Sequence, residues 1–436
     1  MSTEMLGVIG IVVVLLLIFL RVPLAISMLF VPLLGVYLVK GQKPLETIID
    51  TILWEQSSNY LLSTIPMFIL MGEFIFLSGI STELFSTARK WFGRVRGGLA
   101  MSTVGASAMF AASSGSSVAT TGTMGVVALK EMTKYDYNKS LASGSIISGG
   151  TLGILIPPST MFIVYGMITE QSVGQLLIAG IIPGILLTIF FTLTIWISIV
   201  IKPTLAPRGK RYSIKEKLIA TRSLIWIIVV FLIVIGGMYL GFFGPTEAGG
   251  VGATATFIIA LIRRKLTYAS LAQALRNTLK TTGFIFAIIL GAFVLNYFLA
   301  ITKVPIMLAR FFTNIGLSPI GVVLLIIFMY ILLGAIMDEL AMVVITMPIV
   351  IPIIETLGFD LIWFGVIIVL VCQLALITPP VGMNIYVLKG VAPEVRLVEI
   401  YRGALIFILP IILLLLILSF FPELTLYLPN KMMLNQ

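Results

Sequence analysis

"GTLGILIPPS", residues 150–159, sets two adjacent prolines inside a long apolar run. Each proline lacks an N–H, and one in a helix interior costs about 3 kcal/mol. The same oddity returns in "LALITPPVGMN", residues 374–384. An apolar helix broken twice, in the same manner, is the feature on which the fold turns.

Composition says what kind of helix is broken. The 436-residue chain is 59% hydrophobic and 11% charged, with a mean hydropathy of +1.15. Runs such as "GVIGIVVVLLLIFL" (7–20) and "LIFILPIILLLLILSFF" (405–421) approach the roughly 20 apolar residues that cross a bilayer core. They are continuous instead of alternating, which argues for membrane helices and against an outer-membrane barrel. The expected class is an all-α polytopic membrane protein in a lipid bilayer. The first run lacks a small-residue cleavage pattern and reads as a retained helix.

Several function classes drop out. The net charge of +10 reports loops under the positive-inside bias. No loop joins basic residues to aromatic platforms, so nucleic acid is not an expected partner. The chain has no histidine and one cysteine, Cys372, in an apolar run. That removes the commonest proton shuttle and any cysteine metal site. "LAPRGKRY" (205–212) lacks the spacing of a phosphate cradle. Neither an enzyme nor a cofactor protein is expected.

The two breaks belong to a repeat. Pro157 pairs with Pro379, Pro23 with Pro245, Gly72 with Gly291 and Thr123 with Thr346, at offsets of 222, 222, 219 and 223 residues. Four collinear matches at nearly constant offset point to two related halves. Loop charge then orients them. Segment 202–222 carries seven Lys/Arg and one Glu, and 263–280 carries five Lys/Arg and no acid. Both are expected in the cytoplasm, joined by helices at about 222–240 and 245–263. "RKWFGRVRGG" (89–98) is basic and inside, whereas 355–360, with Glu355 and Asp360, is acidic and outside. The second half thus reads as the first turned over.

This assignment closes only if two segments enter and leave on one side. The expected organisation is a first inverted repeat, 1–200, with a re-entrant hairpin at about 99–131 and a broken helix at about 142–169. A cytoplasmic linker, 201–221, leads to a second repeat, 222–436, with a hairpin at about 317–354 and a broken helix at about 362–389. Both termini fall outside.

The chemistry sits at the hairpin turns and breaks. "AASSGSSVATTG" (111–122) crowds four serines around Gly115. Irregular backbone at membrane depth lines a cavity or is buried in protein. Small-residue helix packing is the competing reading. A helix stopped at 153–158 leaves last-turn carbonyls without N–H partners. Such hard oxygens, at the negative end of a half-helix dipole, suit Na+. Thr378 before Pro379-Pro380, facing "GAIMDEL" (334–340), repeats the parts.

Acids and bases at membrane depth are weighed singly. Asp338 is the first choice for a charged coordination partner, and its neighbour Glu339 faces water or a salt-bridge partner. Glu73 is either functional or a structural acid paired with a base. Glu247, after Pro245, complements a helix dipole. Lys303 meets a substrate carboxylate or is an interface lysine. Arg21 anchors a membrane edge.

Together, "SGSSVAT" (114–120), "ILIPPS" (154–159), "GPTEAGGVGA" (244–253), "LGAIMDELAMVVITMPI" (333–349) and "LITPPVGMNIYV" (376–387) resemble the large membrane subunit of tripartite ATP-independent periplasmic (TRAP) transporters, the DctM-like family. The resemblance covers essentially the whole chain. It implies an elevator-type secondary transporter of the bacterial inner membrane, moving an organic acid anion inward with Na+ as the coupling ion. It also implies two partners, a small four-helix membrane subunit and a periplasmic substrate-binding protein. A self-sufficient Na+/dicarboxylate-type symporter is the alternative. Carried over by matching motif, one Na+ site takes Ser114, Ser117, Gly153, Ile156 and Pro158, and the other Gly334, Asp338, Thr378 and Val381. Lys303, Ser116 and Asn384 are the candidate substrate contacts. The chain departs from the family at Asp338-Glu339, where an Asp-Pro pair is frequent, and at Ala375, where glycine is expected. It looks unfused to the small subunit. The pool of substrates spans C4-dicarboxylates and sugar acids such as sialic acid.

Overall fold

The computed structural model describes residues 2–314, 316–334, 337–380 and 382–434. Among the described residues the protein is helical throughout, with one isolated bridge between Arg96 and Arg208. Six helices are long and apolar enough to cross a bilayer, or seven if Ile214–Thr221 and Ile225–Tyr239 form one bent span.

The remaining apolar helices are short, and their lengths carry the architecture. Thr160–Thr169 has 10 residues, about 15 Å at 1.5 Å per residue, half of a ~30 Å hydrocarbon core. It pairs end to end with Lys139–Thr151 across the Pro157-Pro158 break. Leu361–Ile377 and Met383–Val391 stand in the same relation across Pro379-Pro380. Both Pro-Pro bonds are cis. Each new half-helix gets a start signal from its own sequence: Ser159 Oγ accepts from Phe162 N, and Gly382, at φ 49°, precedes Met383.

Gly98–Ser114 and Ser117–Met124 form a hairpin around Gly115, whose φ of 60° favours glycine. Ser116 caps the returning helix by accepting from Ala119 N at 3.3 Å. Pro319–Gly334 and Glu339–Thr356 are the corresponding later pair, with Asp338 as N-cap of the second.

Burial separates an inner layer from an outer one. Every residue of Leu361–Ile377 is buried, as are Leu141 to Thr151 and Met161 to Thr169. A helix apolar on all sides belongs in a protein interior. Thr3–Phe19, by contrast, fully buries only Gly7, Gly10 and Val14 and packs Ile11, Leu15 and Ile18 partly against the core. Gly10 and Gly35 both lie against the ring of Phe298, so small residues let these helices close around one aromatic.

Two expectations are revised. Residues 268–280 are not loop: a single helix runs Tyr268–Thr302, opened by a Thr267–Ser270 capping box. Its 35 residues extend about 52 Å, so Arg276 and Lys280 ride on a helix longer than a ~30 Å core. The linker is likewise partly helical, because Ser213 and Glu216 cap Ile214–Thr221 reciprocally. That helix docks on Ile80–Phe92 through Thr87 Oγ1 to Ala220 O at 2.9 Å and Trp91 Nε1 to Thr221 Oγ1 at 3.0 Å.

Candidate functional site

The turn of the first hairpin is pressed against the first Pro-Pro break. A Cβ on Gly153 would lie 2.5 Å from the Ser116 carbonyl oxygen, and one on Gly115 would lie 2.5 Å from the Pro158 oxygen. Backbone touches backbone here because both glycines lack side chains. Thr160 ties the two together by donating its N–H at 3.4 Å and its hydroxyl at 3.1 Å to the Gly115 carbonyl.

Around that contact the hydroxyls are ordered. Thr120 Oγ1 donates to Ser116 O at 2.7 Å and lies 3.1 Å from Ser114 Oγ. A threonine has one proton to give, so Ser114 is the donor of the second bond. Ser117 Oγ donates to Asn384 Oδ1 at 3.0 Å, and Asn384 Nδ2 donates back at 2.7 Å and to Ile147 O at 3.2 Å. Both side chains are buried. Asn384 therefore braces the second broken helix on the first hairpin, its amide engaged within the protein.

The break does not free every carbonyl. Leu152 O accepts from Leu155 N and Ile156 N, and Ile154 O accepts from Ser159 Oγ at 2.5 Å. Among the described residues no donor engages the carbonyls of Ile156 or Pro158. Of these two, the Pro158 oxygen lies against Gly115 in the hairpin turn, and carbonyl oxygens are hard ligands of the type that Na+ takes.

In the second half, Gly334 packs on Ala375, in the helix that leads to the second break. Thr378 Oγ1 donates to Leu374 O at 2.6 Å, and its own carbonyl has no donor among the described residues. Pro380 O is occupied by Tyr401 OH at 2.8 Å. Asp338 Oδ1 accepts from Leu340 N at 3.0 Å and Ala341 N at 3.4 Å. A cavity of about 30 Å³ lies among Gly334, Asp338, Glu339, Ala375 and Gly382. Val381, the remaining member of the sequence-derived set, lies outside the described residues.

Other charged residues land elsewhere. Lys303 is the exposed C-cap of the long helix at φ 58°, with no hydrogen bond to Ser116 or Asn384. Among the described residues Glu73 has no basic partner; Asn277 Nδ2 reaches its two oxygens at 3.3 and 3.2 Å. Glu247 accepts from Tyr60 OH at 2.9 Å at the start of its helix. Arg21 adopts φ 66° between the first two helices. Glu339 faces neither water nor a base with its Oε2, which is sealed and without a hydrogen-bond partner among the described residues.

One contact was not foreseen. Thr151 Oγ1 lies 3.3 Å from Gln373 Oε1, and the two residues are 222 apart in the chain. Gln373 is buried, and its Nε2 lacks a partner. The available signal was a lone amide in the apolar run Leu361–Ile377.

The family described as "Tripartite ATP-independent periplasmic transporter, DctM component" matches residues 11–424. The chain is 36% identical over 379 residues to the C4-dicarboxylate TRAP transporter large permease protein DctM of Pseudomonas aeruginosa, covering 87% of this chain and 88% of that one. It is 30% identical to the sialic acid TRAP transporter large permease protein SiaM of Vibrio cholerae, covering 85% and 87%. The 2,3-diketo-L-gulonate TRAP transporter large permease protein YiaN of Escherichia coli is 32% identical, covering 84% and 86%. In fold alone, the chain resembles the YdaH transporter of Alcanivorax borkumensis, with a TM-score of 0.61 at 13% identity over 86% of this chain and 88% of that one. MtrF of Neisseria gonorrhoeae is similar at 0.60 and 13%, over 96% and 95%.

Proposed function

The chain belongs to the DctM component family of tripartite ATP-independent periplasmic transporters, and on that footing we propose that it is a Na+-coupled importer subunit for an organic acid anion. As a large permease subunit it is a multi-pass membrane protein. The observation that carries the coupling is the pairing of each hairpin with a broken helix. At each break a carbonyl oxygen lacks a donor among the described residues, that of Pro158 against Gly115 of the first hairpin and that of Thr378 in the second.

Ser114, Ser117, Gly153, Ile156 and Pro158 hold one Na+ in this reading, and Gly334, Asp338, Thr378 and Val381 the other. Ser116 lies beside the first of these, between the ion and the substrate carboxylate. Asn384 acts on the substrate region through Ser117. Lys303, on the long helix, meets the anion only if the mobile part carries it there. The substrate class follows from the relatives, whose C4-dicarboxylate, sialic acid and diketogulonate are all carboxylates.

The inverted repeat belongs to the same proposal. Thr151 and Gln373 share the 222-residue offset of Pro157 and Pro379, and equivalent residues that touch lie on a two-fold axis. Helix packing supports this: Thr64–Leu77 packs on Pro245–Ile262, and Leu24–Lys40 on Tyr268–Thr302. The offset exchanges these two contacts. Both hairpins and both breaks would then move as one body against a scaffold of outer helices, the elevator motion. A small four-helix membrane subunit and a periplasmic binding protein complete the system, placed in a bacterial inner membrane with both termini outside.

Reconstitution tests the assignment. Proteoliposomes with this chain, its small-subunit partner and the substrate-loaded binding protein should accumulate the acid under an inward Na+ gradient. Uptake by this chain alone would make it a self-sufficient symporter, and uptake indifferent to Na+ would remove the coupling.

A further inference from the structure

Glu339 is a half-buried acid that the two cation sets leave unused. It occupies the first turn of Glu339–Thr356, next to Asp338. Its Oε2 is closed off from solvent with no hydrogen-bond partner among the described residues. Among the described residues no lysine or arginine forms an ion pair with Asp338 or Glu339.

Two negative charges at this place need an answer. A helix N-terminus offers about half a positive charge, too little for two carboxylates. Asp338 already takes that help, since its Oδ1 accepts from Leu340 N and Ala341 N. A carboxylate moved from water into protein without a partner loses several kcal/mol. The same two residues line the cavity of about 30 Å³, and one water-sized occupant needs roughly 10–15 Å³. Space, unsatisfied oxygen and uncompensated charge coincide at one point. Gly334, the last residue of the preceding helix, lines the same cavity.

We propose that the Glu339 carboxylate is a ligand of the second cation site, which thereby carries two formal negative charges in this protein. The proposal rests on the reading of that hairpin and break as a Na+ site. Asp338 is exposed and caps the helix, while Glu339 brings a sealed oxygen to the same cavity lining. Two carboxylates around one monovalent ion hold it more tightly than one.

The test is a Na+ titration of melting temperature on the purified full-length chain, with choline chloride keeping ionic strength constant. The wild type should melt higher in NaCl than in choline chloride. Glu339→Gln should move the Na+ midpoint upward at least tenfold, Glu339→Asp should move it less, and Glu355→Gln, an exposed acid at the far end of the same helix, should leave it in place. An unmoved midpoint in Glu339→Gln overturns the Glu339 assignment while a Na+-specific rise in the wild type keeps the site itself. No Na+-specific rise in the wild type overturns both. If Glu339→Gln does not fold, Glu339→Asp decides, and an unchanged midpoint there counts against the proposal.

Discussion

Ser117 and Asn384, 267 residues apart in the chain, exchange hydrogen bonds in the buried centre of the protein. One lies on the first hairpin and the other on the half-helix after the second break. Each half of the chain thus holds the other's irregular backbone in position. The amide's third bond, to Ile147 O, adds the first broken helix to the same knot.

Cutting that knot should cost stability as well as coupling. Ser117→Ala leaves the Asn384 amide short of a partner, about 1–3 kcal/mol for a buried polar group. The melting temperature should fall, and the Na+ midpoint of uptake should rise. In a double-mutant cycle with Asn384→Ala the two losses should not add, with a coupling of ~1 kcal/mol. Additive losses would mean that the two side chains act independently.

Gly153→Ala is expected to abolish transport while the chain still inserts in the membrane. The new methyl meets the Ser116 carbonyl oxygen, and overpacking of this kind costs about 1–3 kcal/mol. Gly250→Ala, where a Cβ meets nothing within 4 Å, is the control. There the helix gains up to about 1 kcal/mol from the better former. Equal uptake by both variants would separate the Gly153 contact from function.

Thr378→Ala and Asp338→Asn should weaken Na+ dependence through the second break. Thr378 Oγ1 is already committed to Leu374 O, so its loss perturbs the last turn more than it removes a ligand. A two- to tenfold rise in the Na+ midpoint is expected, about 0.4–1.4 kcal/mol. Asp338→Asn should depress uptake more than expression. A parallel loss of both would assign Asp338 to folding, through its cap on Glu339–Thr356.

Gln373→Met should leave melting temperature unchanged or raise it by up to ~1 kcal/mol equivalent. The reason is that Gln373 Nε2 is buried without a partner, and replacing an unsatisfied group with an apolar one of similar shape removes a desolvation cost. A fall beyond 1 kcal/mol would show that the amide is satisfied in the working protein, by water or ion.

Much of the architecture was legible because membrane helices leave few alternatives. The Pro-Pro pairs and Gly115 mark helix ends that the structure also has, since missing N–H groups and a positive φ act locally. Charge patterns were less dependable. Arg276 and Lys280 looked like loop, yet they sit on the helix Tyr268–Thr302, because long basic side chains extend past the bilayer edge without ending a helix. The partner of Glu73 was misjudged for another reason. Which side chain answers a buried acid depends on neighbours hundreds of residues away, as Asn277 does for Glu73.

The sequence by itself therefore determined the class, the positions of the breaks and the inventory of oxygen-bearing residues, which follow from hydropathy and local backbone chemistry, while the family was legible through its motifs. Only the tertiary structure decided which of those residues meet. It turned Asn384 from a free amide into a brace on Ser117, set Thr151 against Gln373, and left Glu339 with a sealed, unpartnered oxygen. Contacts of that kind arise when two distant halves pack around one centre, and no local rule of spacing records them.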